Sequence, residues 1–169
     1  TVLDCSVDIS ILNNTGEAFN ESDNCDTNEL NATYRDSTVV DATCGSARLL
    51  IRIWTLADAC GNVERGEQRI ELIDTIAPTF TVPVDITLDC ITDISILGTT
   101  GDVTDESDNC DTTSLVATFR DSILVDSLCG SSLHVIRIWT LADACGNVEI
   151  GEQHISLIDT VPPVFTVPA

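Results

Sequence analysis

Cysteine is the residue type whose number and spacing in this chain most clearly point to chemistry. The eight cysteines form two sets of four, and each member of the second set lies 85 positions after its counterpart. They are Cys5, Cys25, Cys44, Cys60, Cys90, Cys110, Cys129 and Cys145. An even number at repeated spacings, without a CxxC pair, favours disulfides over a zinc site. We therefore expect an oxidising compartment.

Acidic side chains dominate the charge of the chain. There are 28 Asp and Glu residues against 7 basic ones, which gives a formal net charge of −21. Such a chain is repelled by phosphate backbones and anionic lipids, so we expect no nucleic-acid partner and no membrane insertion. The same charge keeps the protein soluble and attracts divalent cations.

Residues suited to catalysis are scarce. The two histidines, His134 and His154, both lie in the second half, and the first half has Leu49 and Arg69 at the equivalent positions. There is no glycine-rich phosphate-binding loop, and no pair of carboxylates stands out as an acid and base. We expect that the protein is not an enzyme and requires no cofactor.

The 85-residue repeat extends far beyond the cysteines. RIWTLADACGNVE at 52–64 recurs without change at 137–149, and LIDTIAPTFTVP at 72–83 recurs as LIDTVPPVFTVP at 157–168. A period of this length fits a whole small domain. The sequence predicts one repeat over 1–78, a second over 79–163, and the start of a third at 164–169 in a longer protein.

Within each repeat the residues favour β-strands. ARLLIRIWTLAD, LHVIRIWTLAD, QRIELID, TFTVPVDITLDC and LVATFRDSILV are rich in β-branched and aromatic residues. Turn-forming residues such as Cys60-Gly61-Asn62 separate the strands. The predicted fold class is all-β, with two tandem immunoglobulin-like sandwiches. Trp54 and Trp139 are best interpreted as core residues, although apolar side chains on both strand faces leave the inward face undetermined.

One combined pattern resembles a known family. DNCD, then RIWTLADACGN, then Q-x-I-x-L-I-D-T-x-x-P-x-F-T-V-P is similar to hyaline-type (HYR-like) immunoglobulin-like repeats. It resembles more closely the SprB-type repeats of giant surface adhesins in gliding Bacteroidetes. The resemblance spans nearly the whole chain. The last-strand cysteine that is common in hyaline repeats is absent, so that family's disulfide pairing does not transfer.

Disulfide pairing follows from the sandwich that the resemblance implies. Cys44 and Cys60 flank a strand about 30 Å long, which is too long for one disulfide to span. The loops that carry Cys25 and Cys60 should meet at one end, with Cys5 and Cys44 nearer the other. We expect four bonds: Cys5–Cys44, Cys25–Cys60, Cys90–Cys129 and Cys110–Cys145.

Carboxylates and amides beside these cysteines could bind calcium. The candidate ligands in the two repeats are Asp23, Asp26, Asp58, Asn62, Asp74, Asp108, Asp111, Asp143 and Asn147. The competing interpretation is that these side chains only form turns, through hydrogen bonds to the backbone. The sequence leaves both interpretations open.

Surface modification is a side hypothesis. Asp-Ser/Thr-apolar tripeptides, which resemble a motif that Bacteroidetes O-glycosylate, place candidate sites at Thr75, Ser122 and Thr160. Asn13, Asn20 and Asn31 lie in N-x-S/T sequons.

The function that the sequence favours is structural. We expect stalk repeats of a large extracellular adhesin or surface filament, serving adhesion and gliding-type motility at the cell surface. Their partners would be neighbouring repeats, laterally associated copies, or surface polysaccharide. Two alternatives remain: a carbohydrate- or protein-binding module, and an accessory domain of a secreted hydrolase.

Overall fold

A computed structural model describes residues 1–25, 29–39, 44, 48–111, 114–125 and 133–167. The chain divides into two compact units. The first comprises Thr1–Ile76 together with Asp108–Thr113, and the second comprises Ala77–Ser107 and Ser114–Ala169. The division after Ile76 lies close to the boundary that the repeat predicts, but the assignment of 108–113 to the first unit was not anticipated.

The first unit contains one mixed four-stranded sheet. Its elements are β1 (Val2–Asp4), α1 (Leu12–Thr15), β2 (Thr33–Val39), β3 (Arg48–Ala57) and β4 (Val63–Ile73). The strand order is β1-β4-β3-β2. The long strands pair antiparallel, whereas β1 runs parallel to the end of β4.

The second unit repeats this sheet and adds a strand pair. Its elements are β5 (Thr79–Thr81), β6 (Ile86–Asp89), α2 (Leu97–Thr100), β7 (Thr104–Ser107), β8 (Thr118–Val125), β9 (Leu133–Ala142) and β10 (Val148–Ile158). The main sheet has the order β6-β10-β9-β8, and β5 pairs antiparallel with β7. The predicted all-β class is therefore confirmed.

The inward face of the central strand, which the sequence left undetermined, is the one that carries the arginine. In β9 the residues Val135, Arg137, Trp139 and Leu141 are all buried, as alternation along a strand requires. In β3 the equivalent face carries Leu50, Arg52 and Trp54. Leu50 packs with Ile70 and Leu72 in the first unit's apolar core.

Each sheet is centred on a buried arginine. The Arg52 side chain is 0% exposed, and its Nε and Nη2 donate to Oδ1 and Oδ2 of Asp36 at 2.8 and 2.9 Å. Its Nη1 donates to Thr15 Oγ1 at 2.6 Å, and its Nη2 also donates to the Ile9 carbonyl at 2.8 Å. Four hydrogen bonds on one guanidinium offset much of the cost of burying its charge. We call Arg52 and these partners the arginine hub.

The arginine hub joins three parts of the first unit. Asp36 lies on β2, Thr15 ends α1, and Ile9 lies in the loop after β1. The guanidinium carbon also stands 4.1 Å from the centre of the Tyr34 ring, a cation–π distance. Hydrogen bonding to Asp36 raises the pKa of Arg52 above its usual value. The hub therefore holds the short helix and the first loop against the sheet.

The disulfides differ from the predicted pairing. Cys5 is bonded to Cys110, with their Cα atoms 5.8 Å apart, and Cys44 and Cys145 are also disulfide-bonded. The expected bonds Cys5–Cys44 and Cys110–Cys145 are therefore wrong. The physical reason is that Asp108–Thr113 belongs to the first unit and brings Cys110 to Cys5.

The remaining predicted bonds are also not found. Cys25, Cys60 and Cys90 are free thiols, so neither Cys25–Cys60 nor Cys90–Cys129 is formed. Cys129 itself lies outside the described residues.

Candidate functional site

The ADACGN motif forms the hairpin turn between β3 and β4. The backbone N–H of Asp58 donates to the carbonyl of Asn62 at 3.0 Å, and Gly61 adopts a φ of +90°, which favours glycine. Asn62 donates from its backbone N–H and its side-chain amide to the two Asp58 carboxylate oxygens, at 2.7 and 2.6 Å. These bonds hold the pKa of Asp58 below its usual range.

The second repeat makes the same turn. Asn147 donates to Asp143 Oδ1 at 2.9 Å from its backbone and to Oδ2 at 2.7 Å from its amide. The DNC segments use a related device, because the N–H of Cys25 bonds Asp23 Oδ1 at 2.8 Å. The turn-forming role is thereby confirmed for Asp58, Asp143 and Asp23.

One cleft joins these loops in the first unit. It has a volume of about 370 Å³ and is open to solvent. Its lining is Asp23, Asn24, Cys25, Asp58, Ala59, Cys60 and Asn62. The two loops that were expected to meet do so, and both thiols are exposed on the cleft. Both Asp58 carboxylate oxygens already accept hydrogen bonds within the turn. Fewer of their lone pairs are therefore left to bind a cation.

The third free thiol lies in a different setting. Cys90 is partly buried at the end of β6. Burial raises the pKa of the Cys90 thiol, and the nearby Asp89 and Asp159 carboxylates raise it further. Because the thiolate is the reactive form, the raised pKa lowers the reactivity of this thiol.

A second acidic cluster lies at the opposite end of the first sheet. Asp4 ends β1, and Asp74 follows β4. One oxygen of each carboxylate and the sulfurs of Cys5 and Cys110 all lie within 4.8 Å of one another. The sulfurs form the disulfide, so the carboxylates are the groups able to hold a hard cation.

Two carboxylate oxygens near this disulfide are buried without a hydrogen bond to any described residue. Asp4 Oδ2 and Asp108 Oδ2 have no hydrogen-bond partner within the described ranges. Asp4 Oδ1, in contrast, accepts from the Ser6 N–H at 2.9 Å and from the Asn109 amide at 3.1 Å. Hydrogen bonding by Ser6 lowers the pKa of Asp4, so this residue stays ionised. A buried carboxylate oxygen without a partner is costly, and a bound cation would remove that cost.

The predicted calcium ligands are therefore divided among several places. Asp108 and Asp111 belong to the first unit, whereas Asp143 and Asn147 belong to the second. Asp26 lies outside the described residues. The sequence did not single out Asp4, although its position directly before Cys5, repeated as Asp89 before Cys90, was a signal.

The candidate glycosylation positions share one property. Thr75, Ser122 and Thr160 are all exposed. Modification of these hydroxyls stays a prediction.

Neither histidine lies in a recognisable catalytic constellation. His134 Nδ1 stands 3.1 Å from Ser156 Oγ, but the two are exposed cross-strand neighbours on β9 and β10. The equivalent pair in the first unit is Leu49 and Glu71. The pair is therefore a local feature of one unit and not a property of the repeat.

The described part of the chain contains no helix long and apolar enough to cross a membrane. Comparison with known proteins gives no family: no protein-family model and no curated protein matches this chain.

Proposed function

We propose that this chain is a non-catalytic structural repeat of an extracellular adhesin or surface filament, built as two immunoglobulin-like modules. The observation that carries this proposal is the Cys5–Cys110 disulfide, which joins residues 105 positions apart. Tension applied to the two ends of the chain passes through this bond. The intervening residues, which include strands β2, β3 and β4 of the first sheet, are thereby shielded from stretching.

Other features support the same role. Disulfides indicate a non-reducing environment, and a net charge of −21 opposes non-specific bundling of neighbouring stalks. When the bond is reduced, the parallel pairing of β1 with β4 resists extension in shear, because all its hydrogen bonds must break together.

Single-molecule force spectroscopy tests this proposal. The chain is pulled from its two termini with its disulfides intact, and then again after reduction. We expect reduction to release extra length on the order of 350 Å, the extended length of the residues that the disulfide encloses. A variant with both Cys5→Ser and Cys44→Ser, which removes the disulfides of both cysteines, should release the same segment without reductant. Equal extension before and after reduction would contradict the proposal.

Calcium binding is the second part of the proposal, and the buried oxygens of Asp4 and Asp108 favour it. We expect calcium to raise the melting temperature and EDTA to lower it. Asp4→Asn should abolish this shift, whereas Asp58→Asn, in the hairpin turn, should retain it. An identical melting temperature with calcium and with EDTA would remove calcium from the proposal.

A rival function is recognition of polysaccharide or protein through the 370 Å³ cleft between the two loops. A glycan array probed with the intact chain separates the two proposals. A stalk repeat should give no specific signal, whereas a binding module should give one that Asp23→Ala weakens.

A further inference from the structure

The outer face of the first unit's sheet carries a regular row of charges. In β4 the residues Ile70 and Leu72 point into the core, so the residues that alternate with them point away from it. Four exposed residues occupy these alternate positions: Arg65, Glu67, Arg69 and Glu71. The sign of the charge therefore changes at every step over about 20 Å of strand. We call these four residues the β4 charge row.

Partly buried apolar side chains lie beside the β4 charge row. On the adjacent strand β3, Ile51 is directly opposite Arg69, and Ile53 is directly opposite Glu67. Both isoleucines keep part of their surface exposed to solvent. A partner placed on this face would cover the charges and this apolar surface together, and the loss of the apolar surface from water favours binding.

The charges of the row are not neutralised within their own unit. In the part of the chain that the structure describes, none of the four side chains forms an ion pair. The ion pairs found there, Arg52 with Asp36 and Arg137 with Asp121, lie on the inner faces of the two sheets. Both signs of charge in the row are therefore free to meet a partner.

The exposure of this face is a property of the repeat, whereas the charge row is not. In the second unit, Ile150, Glu152 and His154 occupy the equivalent face of β10 and are also exposed. Ile150 stands in place of Arg65, and His154 stands in place of Arg69, so the alternation of charge is lost. The second unit therefore serves as an internal control that has the same sheet without the row.

We propose that two copies of this chain associate face to face through the β4 charge row, related by a two-fold axis. The row has the opposite order of signs when it is read from its other end. An antiparallel arrangement therefore sets Arg65 against Glu71 of the second copy, and Glu67 against Arg69 of the second copy. Each of these pairs occurs twice by symmetry, as in any isologous contact.

The same axis brings apolar surface together. It lies level with Arg52, midway between Ile51 and Ile53, and so sets Ile51 of one copy against Ile53 of the other. On β2, Arg35 then faces Ser37 of the second copy, so no like charges are opposed there. Sheets that pack face to face keep their strand directions within about 30° of each other, which preserves this register near the axis.

The net charge of the chain makes the contact weak but does not prevent it. Each copy carries −21, which repels a second copy at long range. At about 0.15 M salt this repulsion decays over about 8 Å, whereas ion pairs that the contact partly buries are screened much less. Exposed ion pairs contribute little each, so we expect a dissociation constant on the order of 100 µM. This inference goes beyond the proposed function and does not depend on it.

Sedimentation of charge-swap variants at about 0.15 M salt tests the proposal. Glu67→Arg opposes two arginines in each central pair, and Arg69→Glu opposes two glutamates. Each variant alone should therefore stay monomeric at concentrations where the wild type dimerises. Mixed one to one, the two variants should form heterodimers, because position 67 of each chain then meets the opposite charge at position 69 of the other.

Glu152→Arg, the equivalent change in the second unit, is the matched control and should dimerise like the wild type. Circular dichroism checks that all variants are folded, as expected for changes at exposed positions. A wild type that stays monomeric at about ten times the expected dissociation constant would overturn the proposal. So would a single charge-swap variant that dimerises like the wild type, a mixture that forms no heterodimer, or a Glu152→Arg variant that fails to associate.

Discussion

The arginine hub and the tryptophan next to it on the same strand face differ in how closely the two repeats match. Arg137 bonds Asp121, Thr100 and the Ile94 carbonyl at distances within 0.1 Å of those around Arg52. Two residues further along the strand, Trp139 is fully buried, whereas the equivalent Trp54 is only partly buried. Each hub is built from residues of its own unit at equivalent positions, whereas Phe80 and Val82 pack beside Gly151, next to Trp139, in the second unit.

The largest expected effect comes from removing the tryptophan that is fully buried. Trp139→Ala should lower the free energy of unfolding of the second unit by about 4 kcal/mol, because it empties a fully buried site. Trp54→Ala should cost the first unit about half as much, because its side chain is already partly exposed. Hydrogen exchange of β9 and β3 measures each unit separately, and equal losses would contradict the comparison.

Breaking the hubs should give equal effects in the two units. Arg52→Ala leaves the Asp36 carboxylate, only 27% exposed, without its cation. We expect a loss of about 3 kcal/mol in the first unit, and the same from Arg137→Ala in the second. Chemical denaturation followed by hydrogen exchange checks this. A difference above about 1 kcal/mol would show that the hubs depend on surroundings beyond their hydrogen-bond partners.

The two glycines offer a smaller and sharper contrast. Gly151→Val should destabilise the second unit by about 2 kcal/mol, because its methyl groups would overlap Val82 and Phe80. Gly66→Val should change the stability of the first unit by about 0.5 kcal/mol or less, because the space beside it is open. Thermal unfolding of the paired variants checks this, and a large loss from Gly66→Val would show that the space beside Gly66 is filled.

The smallest expected effect concerns pH and should again be equal in both units. Hydrogen bonds from Ser10 hold the pKa of Asp8 below its ordinary 3.8, and those from Ser95 lower the pKa of Asp93 in the same way. Because the folded pKa is depressed, the stabilisation is complete above pH 3.8 and is lost as the pH falls through the lowered pKa. Carbon NMR titration measures both. Ser10→Ala should return Asp8 towards 3.8 and leave Asp93 as the internal control.

Much of the secondary structure was predictable from residue types. The RIWTLAD segments form β3 and β9, and ADACGN forms the turns that follow them. The inward face was not predictable, because an arginine stands at its centre and burial of a charge contradicts simple patterning. The useful signal was the retention of Arg52 with Asp36, and of Arg137 with Asp121, at identical positions in both repeats.

The disulfide pairing could not be predicted for a different reason. The argument from strand length correctly excluded Cys44–Cys60, because Cys60 is a free thiol. It also assumed that each repeat folds from its own residues. Asp108–Thr113 packs with the first unit, so that assumption is wrong. This packing joins residues that are far apart in the sequence, and no local sequence pattern predicts it.

The burial of Arg137 should make the second unit resistant to trypsin-like proteases. All 7 basic side chains of the chain are arginines, and the second unit holds only Arg120 and Arg137. Arg137 is 0% exposed, so Arg120 on the edge strand β8 offers the one accessible bond for a trypsin-like enzyme. Cleavage there requires β8 to detach first, so the folded second unit should persist where an unfolded copy is quickly digested.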